Sequence, residues 1–339
     1  MVISAIIKEQ VIYITAHAEQ SYTGTYLADK GDVEVNIDAG IYGQELTKET
    51  LTNICAYIEA TVHGRDHDLV IDFEGVRDVQ INQRPLIVKL KSLVRHLVLT
   101  NIGLPIVKRL EVDIYVNNAL MDDAYPVFHV SDQAPALELV PLDELFYKKF
   151  VQLLQAHTID NGTQEAFHHH SPIYLPKFVD IKGMAVADQP FFLYVIYRLA
   201  LQMLAKAEWS SGDEKPILFC QNMNGALIAT VLSGFLKWDL LSMDHIGPVN
   251  KVYSNIGSKI KSDARYIVVA DMVCLGTEVR ICQNIINYSG GQYIGHVSIV
   301  KVDTLRPGDQ AKDALSVFHI SRENNPIDYQ ILTALNNLL

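Results

Sequence analysis

Two short loops carry the side chains best placed for chemistry. The first, Cys220-Gln221-Asn222-Met223-Asn224-Gly225, follows the apolar run ILF, and the second, Asp271-Met272-Val273-Cys274-Leu275-Gly276-Thr277-Glu278, follows YIVVA. Each is succeeded by a segment of helical periodicity, so each ends where unpaired backbone N–H groups give a helix start partial positive charge. Either loop is a candidate phosphate cradle. Neither has a Walker or Rossmann glycine pattern. Gln221, Asn222 and Asn224 fit a ligand contact or an ordinary polar turn with Asn-Gly equally well. Glu278 is read first as an acid in the first helical turn, stabilising the helix dipole without a ligand. A thiol nucleophile is set aside, because Cys274 and Cys282 have no fixed histidine close in sequence. The consecutive His168, His169 and His170 are read as solvated linker rather than as a metal site, since adjacent side chains diverge on any regular element.

The elements that position these loops alternate. SPIYLPKFVDIKGM reads as a strand-like run, and Asp188 can then cap the helix QPFFLYVIYRLALQMLAKA. ILFC, QNMNGALIATVLSGFLK, YIVVAD, VRICQNIINY and YIGHVSIVKV follow as strand, helix, strand, helix and strand, with Ser-Gly-Gly stopping the last helix. A parallel sheet covered on both faces is the economical solution, and right-handed crossovers make it a doubly wound α/β domain. Ligands bind such sheets outside the carboxyl ends of the strands, where both loops fall.

The order and spacing of these segments resemble the type I phosphoribosyltransferases, most nearly the orotate-type members, over residues 170 to 305. In that family an apolar strand ends in two acids, then two apolar residues and a hydroxyl-rich glycine loop that holds the 5'-phosphate of phosphoribosyl diphosphate (PRPP). Here Ile267, Val268 and Val269 stand for the strand, Ala270-Asp271 for the acid pair, and Cys274, Leu275, Gly276, Thr277 and Glu278 for the phosphate loop. SPIYLPKFVDIKG is similar to the family's hood, and ILFCQNMNGALIA to its diphosphate-binding strand, loop and helix, which marks Gln221, Asn222, Asn224 and Gly225. The resemblance implies that Asp271, the candidate catalytic residue, engages ribose hydroxyls, and that Mg2+ accompanies the diphosphate if the protein is active. It also implies mobile cations over the diphosphate. PVNKVYSNIGSKIKSDAR supplies Lys251, Lys259, Lys261 and Arg265 for this, or is a solvated basic turn. The signature is degenerate: Ala270 replaces an acid, Cys274 and Leu275 replace hydroxyl groups, and Glu278 would repel a phosphate dianion.

The preceding block reads as a second α/β domain. VIYIT and VEVNI alternate as strands, and KETLTNICAYIEATV places Leu51, Ile54, Cys55, Ile58 and Val62 on one helical face. LVIDF is a buried strand, PLIVKLKSLVRHL a helix opened by Pro85, and HLVLTNI another strand. The run DLVIDFEGVRDV between two helices resembles the STAS-like fold of anti-sigma-factor antagonists over residues 30 to 130. Many STAS domains carry a phosphorylatable serine after this strand, and here Gln80, Ile81, Asn82 and Gln83 provide no hydroxyl. In a generic α/β domain, Asp72 and Glu74 would be strand-end and turn residues. The boundaries expected are 1–135 for the STAS-like domain, 136–170 for a connecting helix and polar linker, and 171–339 for the phosphoribosyltransferase-like domain. The helix after Pro141, with Leu145, Phe146 and Phe150 on one side, is expected to pack between the blocks. DYQILTALNNLL is expected to form a short amphipathic helix.

Composition sets the outer bounds. At 339 residues, 49% hydrophobic and 20% charged, the chain has the make-up of a folded protein of about two domains. Its net charge of −11 provides no overall drive toward nucleic acid or anionic lipid. Four cysteines without CxxC spacing argue against a disulfide framework and a structural zinc site. The run Phe191 to Ala205 is broken by Arg198 and too short for a bilayer, and no signal peptide is expected, since Lys8 follows the first apolar run. The expectation is a cytoplasmic, bacterial-type protein, forming a homodimer, that binds a ribose-phosphate or nucleotide in a regulatory or stress-response role. The first domain would engage a protein partner. The alternatives are an active Mg-dependent phosphoribosyltransferase acting on an unknown base, and a scaffold with neither binding nor turnover.

Overall fold

The computed structural model describes residues 3–16, 26–28, 31–33, 45–62, 65–73, 76, 78–79, 82–117, 127–130, 140–162, 173–210, 214–243, 259–303 and 313–333. Glu74, Gln80, Ile81, His168 to His170, Lys251 and most of VEVNI lie outside them. The chain divides into two units, residues 1–146 with 235–237, and residues 147–234 with 238–339.

The first unit opens with a hairpin of β1 (Ile3–Lys8) and β2 (Val11–Ala16), whose two-residue turn places Glu9 at φ 54°. Then come α1 (Lys48–Thr61), β3 (Asp68–Asp72), α2 (Arg84–Leu93), β4 (Leu97–Thr100), α3 (Leu104–Arg109), β5 (Tyr115–Asn117) and β6 (Val127–His129). The sheet order is β1-β2-β3-β4-β6-β5, with β2, β3 and β4 parallel. Both parallel crossovers step the same way, so right-handedness puts α1 and α2 on one face. There Leu51, Ile54 and Ile58 of α1 and Ile87 and Leu90 of α2 share a core with Ile14, Leu69, Ile71 and Leu99. Thr47 caps α1 by accepting from the Thr50 N–H. At the strand ends, buried Asp68 accepts from Arg95 at 2.8 and 2.6 Å and pairs with His96 at 2.8 Å, while Asp72 accepts from Asn101 at 3.0 Å.

The second unit contains most of α4 (Leu142–Ala156), where Phe150 stacks on Phe318 with ring centroids 5.2 Å apart. Next come α5 (Ile181–Ala187), α6 (Gln189–Ala205), β7 (Ile217–Cys220), α7 (Met223–Leu236), β8 (Leu240–Ser242), β9 (Arg265–Val273), α8 (Thr277–Tyr288), β10 (Gln292–Val302) and β11 (Ala314–Ile320). Every pairing in its five-stranded sheet is parallel, in the order β8-β7-β9-β10-β11. The chain steps outward from β7 to β8 and then returns past β7 to β9, so α7 and α8 cover opposite faces. Val279, Cys282 and Ile286 of α8 pack with Phe219, Tyr266 and Val268. Gly225 of α7 lies against the alternate residues, where an added Cβ would sit 2.7 Å from the Val269 carbonyl oxygen and 3.6 Å from Cys220 Cβ. The chain thus comprises two α/β units, the second a doubly wound parallel sheet.

Some local expectations need correction. The run SPIYLPKFVDIKGM is strand only at Ile173–Tyr174 and Lys177–Val179, because the Asp180 carboxylate accepts from Gly183 N–H at 2.9 Å and starts α5 there. Residues 158–160, in the stretch read as linker, pair antiparallel with 177–179. In DYQILTALNNLL the described part is not helical: Leu332–Thr333 pairs with Ile173–Tyr174, and Asn325 holds Tyr329 by bonds of 2.7 and 3.0 Å. Those side-chain bonds occupy backbone groups that a helix would need.

Candidate functional site

The site forms where the sheet changes direction. Neighbouring strands β7 and β9 send their chains to opposite faces, so a crevice opens between the loops at their carboxyl ends. The cleft measures about 460 Å³, within the usual range for small-molecule sites. One side is Asn222, Met223 and Asn224, and the other runs from Ala270 to Val279.

The first loop is held by Asn222. Its carbonyl accepts from Ala226 N–H at 2.9 Å and its side-chain oxygen from Gly225 N–H at 2.6 Å, which makes it the cap of α7. That bond fixes the amide orientation, so its nitrogen faces the other loop and donates to Glu278 Oε2 at 3.1 Å. Asn224, the second residue of the same helix, donates to Asp271 Oδ2 at 2.8 Å. Two amides of one loop thus bridge to two carboxylates of the other.

The second loop begins later than the sequence suggests, because Met272 and Val273 still pair with Val300 and Lys301 of β10. Gly276 then turns the chain at φ 69°, the left-handed region, and α8 starts at Thr277. Its first backbone bond runs from Arg280 N–H to the Gly276 carbonyl at 3.0 Å. Asp271 is half-buried at the strand end, whereas Thr277 and Glu278 are exposed at the helix start.

Leu175, Phe178, Val179 and Tyr329 also line the cleft, and sequence reading did not single them out. Lys177 Nζ donates to the Ile327 carbonyl at 2.8 Å, tying the strand that carries Phe178 to the segment that carries Tyr329. Phe178 was legible as part of the hood-like run, but Tyr329 was hidden by the helical reading of its segment. Its hydroxyl lies 3.6 Å from Cys274 Sγ. Burial pushes the Cys274 thiol and the Tyr329 phenol up. Burial, reinforced by the Glu278 charge, pushes Cys282 up to about 12. Both thiols are therefore held protonated, and thiolate attack has no support.

Of the residues singled out by sequence, Asp271, Cys274, Leu275, Gly276, Thr277, Glu278, Asn222 and Asn224 meet at the cleft. Gln221 does not line it: its side-chain oxygen accepts from Cys282 Sγ at 3.0 Å. Gly225 serves helix–strand contact instead. Lys259 is absent from the cleft lining. Lys261 lies 3.4 Å from Asp239 beside the start of β8, and Arg265 donates to the Glu208 and Glu214 carbonyls. The described part of the basic stretch leads into the amino end of β9, where Arg265 lies five residues, about 17 Å of strand, before Ala270, at which the cleft lining begins. Lys261 and Arg265 thus lie toward the amino ends of the strands, away from the cleft.

Among the described residues no three His, Cys, Asp or Glu side chains converge as ligands. Asp271 and Glu278 would offer the one or two carboxylates that a diphosphate-borne Mg2+ uses, with the rest of its octahedron coming from the diphosphate and water. No helix of the described residues is long and apolar enough to cross a membrane.

No family model matches the chain, and no curated protein matches it either. Solved structures do. Adenine phosphoribosyltransferase from Thermoanaerobacter pseudethanolicus is 14% identical, with a TM-score of 0.36 over 50% of this chain and 99% of its own. The enzyme of that name from Leishmania donovani is 14% identical, with a TM-score of 0.36 over 52% of this chain and 83% of its own. Orotate phosphoribosyltransferase from Aeropyrum pernix is 14% identical, with a TM-score of 0.35 over 50% of this chain and 93% of its own.

Proposed function

We propose that the second unit is a phosphoribosyltransferase-like binding module that takes a ribosyl ligand, of the ribose-phosphate or nucleotide class, without transferring it. One observation carries the reading: Asp271 and the Gly276–Thr277 helix start face the Asn222–Asn224 turn across a cleft at the switch point of the parallel sheet. A strand-end carboxylate beside amides and an apolar wall suits a sugar with a planar group attached.

Turnover asks for more. Displacing diphosphate from ribose requires developing charge at the sugar and at the leaving group to be stabilised in place. Ala270 cannot help Asp271 hold the ribose, and among the described residues no lysine, arginine or histidine lines the cleft. The first unit, read as STAS-like, would then relay occupancy to a protein partner in the cytoplasm, in a regulatory or stress-response role, with the chain as a homodimer.

Calorimetry with PRPP and a nucleotide panel, with and without Mg2+, tests this together with a diphosphate-release assay over a panel of bases. Saturable binding without release is the expected result. Diphosphate release that depends on Mg2+ and a base would replace it with the active-transferase reading. No binding by any ribosyl compound would leave a scaffold.

A further inference from the structure

The charges around the cleft are one-sided. Asp271 and Glu278 contribute carboxylates, and no cationic side chain of the described residues lines the cavity. The positive end of α8 would ordinarily attract an anionic ligand. Here Glu278, the second residue of the helix, supplies that anion from within the chain.

The neighbouring amides are each partly committed. Asn222 must use its oxygen for Gly225 N–H, leaving its nitrogen to bind the Glu278 carboxylate at 3.1 Å. Asn224 spends an N–H on Asp271 at 2.8 Å. A phosphate monoester brings acceptor oxygens and close to two negative charges. It would meet a carboxylate at the helix start and amides that each already give one N–H to a carboxylate. A sugar hydroxyl brings a donor and no charge, and both carboxylates have lone pairs to receive it.

We infer that Glu278 sets the charge this cleft accepts, so that among ribosyl ligands it favours the form without a 5'-phosphate, a nucleoside rather than a nucleotide. The inference rests on the ribosyl part of the reading above and departs from its phosphate part, since phosphorylated members would bind more weakly. Asp271 and Glu278 would both accept from ribose hydroxyls, while the apolar wall of Leu175, Phe178 and Val179 would lie against the planar base.

The test titrates adenosine, guanosine, cytidine and uridine, each beside its 5'-monophosphate, into the full chain and into Glu278→Gln. The substitution keeps an acceptor for Asn222 and removes only the charge. In the wild type the nucleoside of the preferred base is expected to bind at least tenfold tighter than its monophosphate, and in Glu278→Gln that ratio should shrink at least tenfold. A monophosphate that binds the wild type as tightly as its nucleoside, or a ratio unchanged in the variant, overturns the inference while the ribosyl reading stands. If no member of any pair binds, both fall. The wild-type ratio decides alone if the variant does not fold.

Discussion

At the scale of single residues, the site depends on a few side chains whose bonding is nearly complete without a ligand. Asp271 is the group most exposed to test. Asp271→Asn removes the charge and leaves only a neutral acceptor oxygen for Asn224 and for a ribose hydroxyl. Loss of a hydrogen bond to a charged group costs about 1.5 to 3 kcal/mol, so affinity for a ribosyl ligand should drop on the order of tenfold or more by calorimetry. Unchanged affinity would remove Asp271 from the site. Gly225 offers a steric test: the Cβ of Gly225→Ala would meet the Val269 carbonyl oxygen at 2.7 Å and Asn222 Oδ1 at 2.9 Å. Helix α7 must then lift from β9, with a loss of about 1 to 3 kcal/mol in denaturant unfolding and weaker ligand binding together. Gly276 faces no such crowding, since nothing lies within 4 Å of its missing Cβ; its backbone conformation alone requires glycine.

At the scale of elements, caps decide where helices begin and so where the site's walls lie. Asp180 starts α5 directly after the strand carrying Phe178, and Asp188 starts α6 by accepting from Phe191 N–H at 3.1 Å. Asp188 also pairs with Lys149 of α4 at 2.8 Å. Asp188→Ala should therefore lower the stability of the second unit by about 1 to 2 kcal/mol, read as a shift in urea midpoint at unchanged slope. A midpoint unchanged from wild type would mean that water replaces both contacts at no loss. The Asp188 cap was readable as Asp before an apolar run, whereas Asp180 was hidden inside a run that reads as strand. The start of α8 at Thr277, with Glu278 in its first turn, agrees with the sequence, although Gly276 at a left-handed N-cap leaves no side-chain signature.

For the whole molecule, pH reports on a group buried far from any cap. His296 on β10 is only 7% exposed, its Nδ1 lies 2.9 Å from the Tyr293 hydroxyl, and its Nε2 has no hydrogen-bond partner among the described residues. Burial, with the Lys301 charge adding to it, pulls its pKa down to about 4. The unfolded chain binds a proton near pH 6.5, which the folded chain resists until about pH 4, so stability rises with pH across that window. Acidification from pH 7 to 4 should cost up to about 3 kcal/mol from this residue. His296→Gln should flatten the dependence of the unfolding free energy on pH between 4 and 6.5. An unaltered slope would assign the acid sensitivity elsewhere.

The local patterns that sequence alone determined are those set by neighbours along the chain. Periodicity of apolar residues located α1, α2, α6 and β9, because burial on one face is written every third or fourth residue in a helix and in unbroken runs in a doubly covered strand. The loop from Asp271 to Glu278 was legible for the same reason, lying between such a strand and such a helix. Tertiary structure alone decided what those loops face. That Asn222 reaches Glu278, that Gln221 turns to Cys282, that Tyr329 closes on Cys274 and that Lys261 ends at the amino end of the sheet all depend on strand order. Strand order is settled by packing between segments distant in sequence, and no local spacing records it.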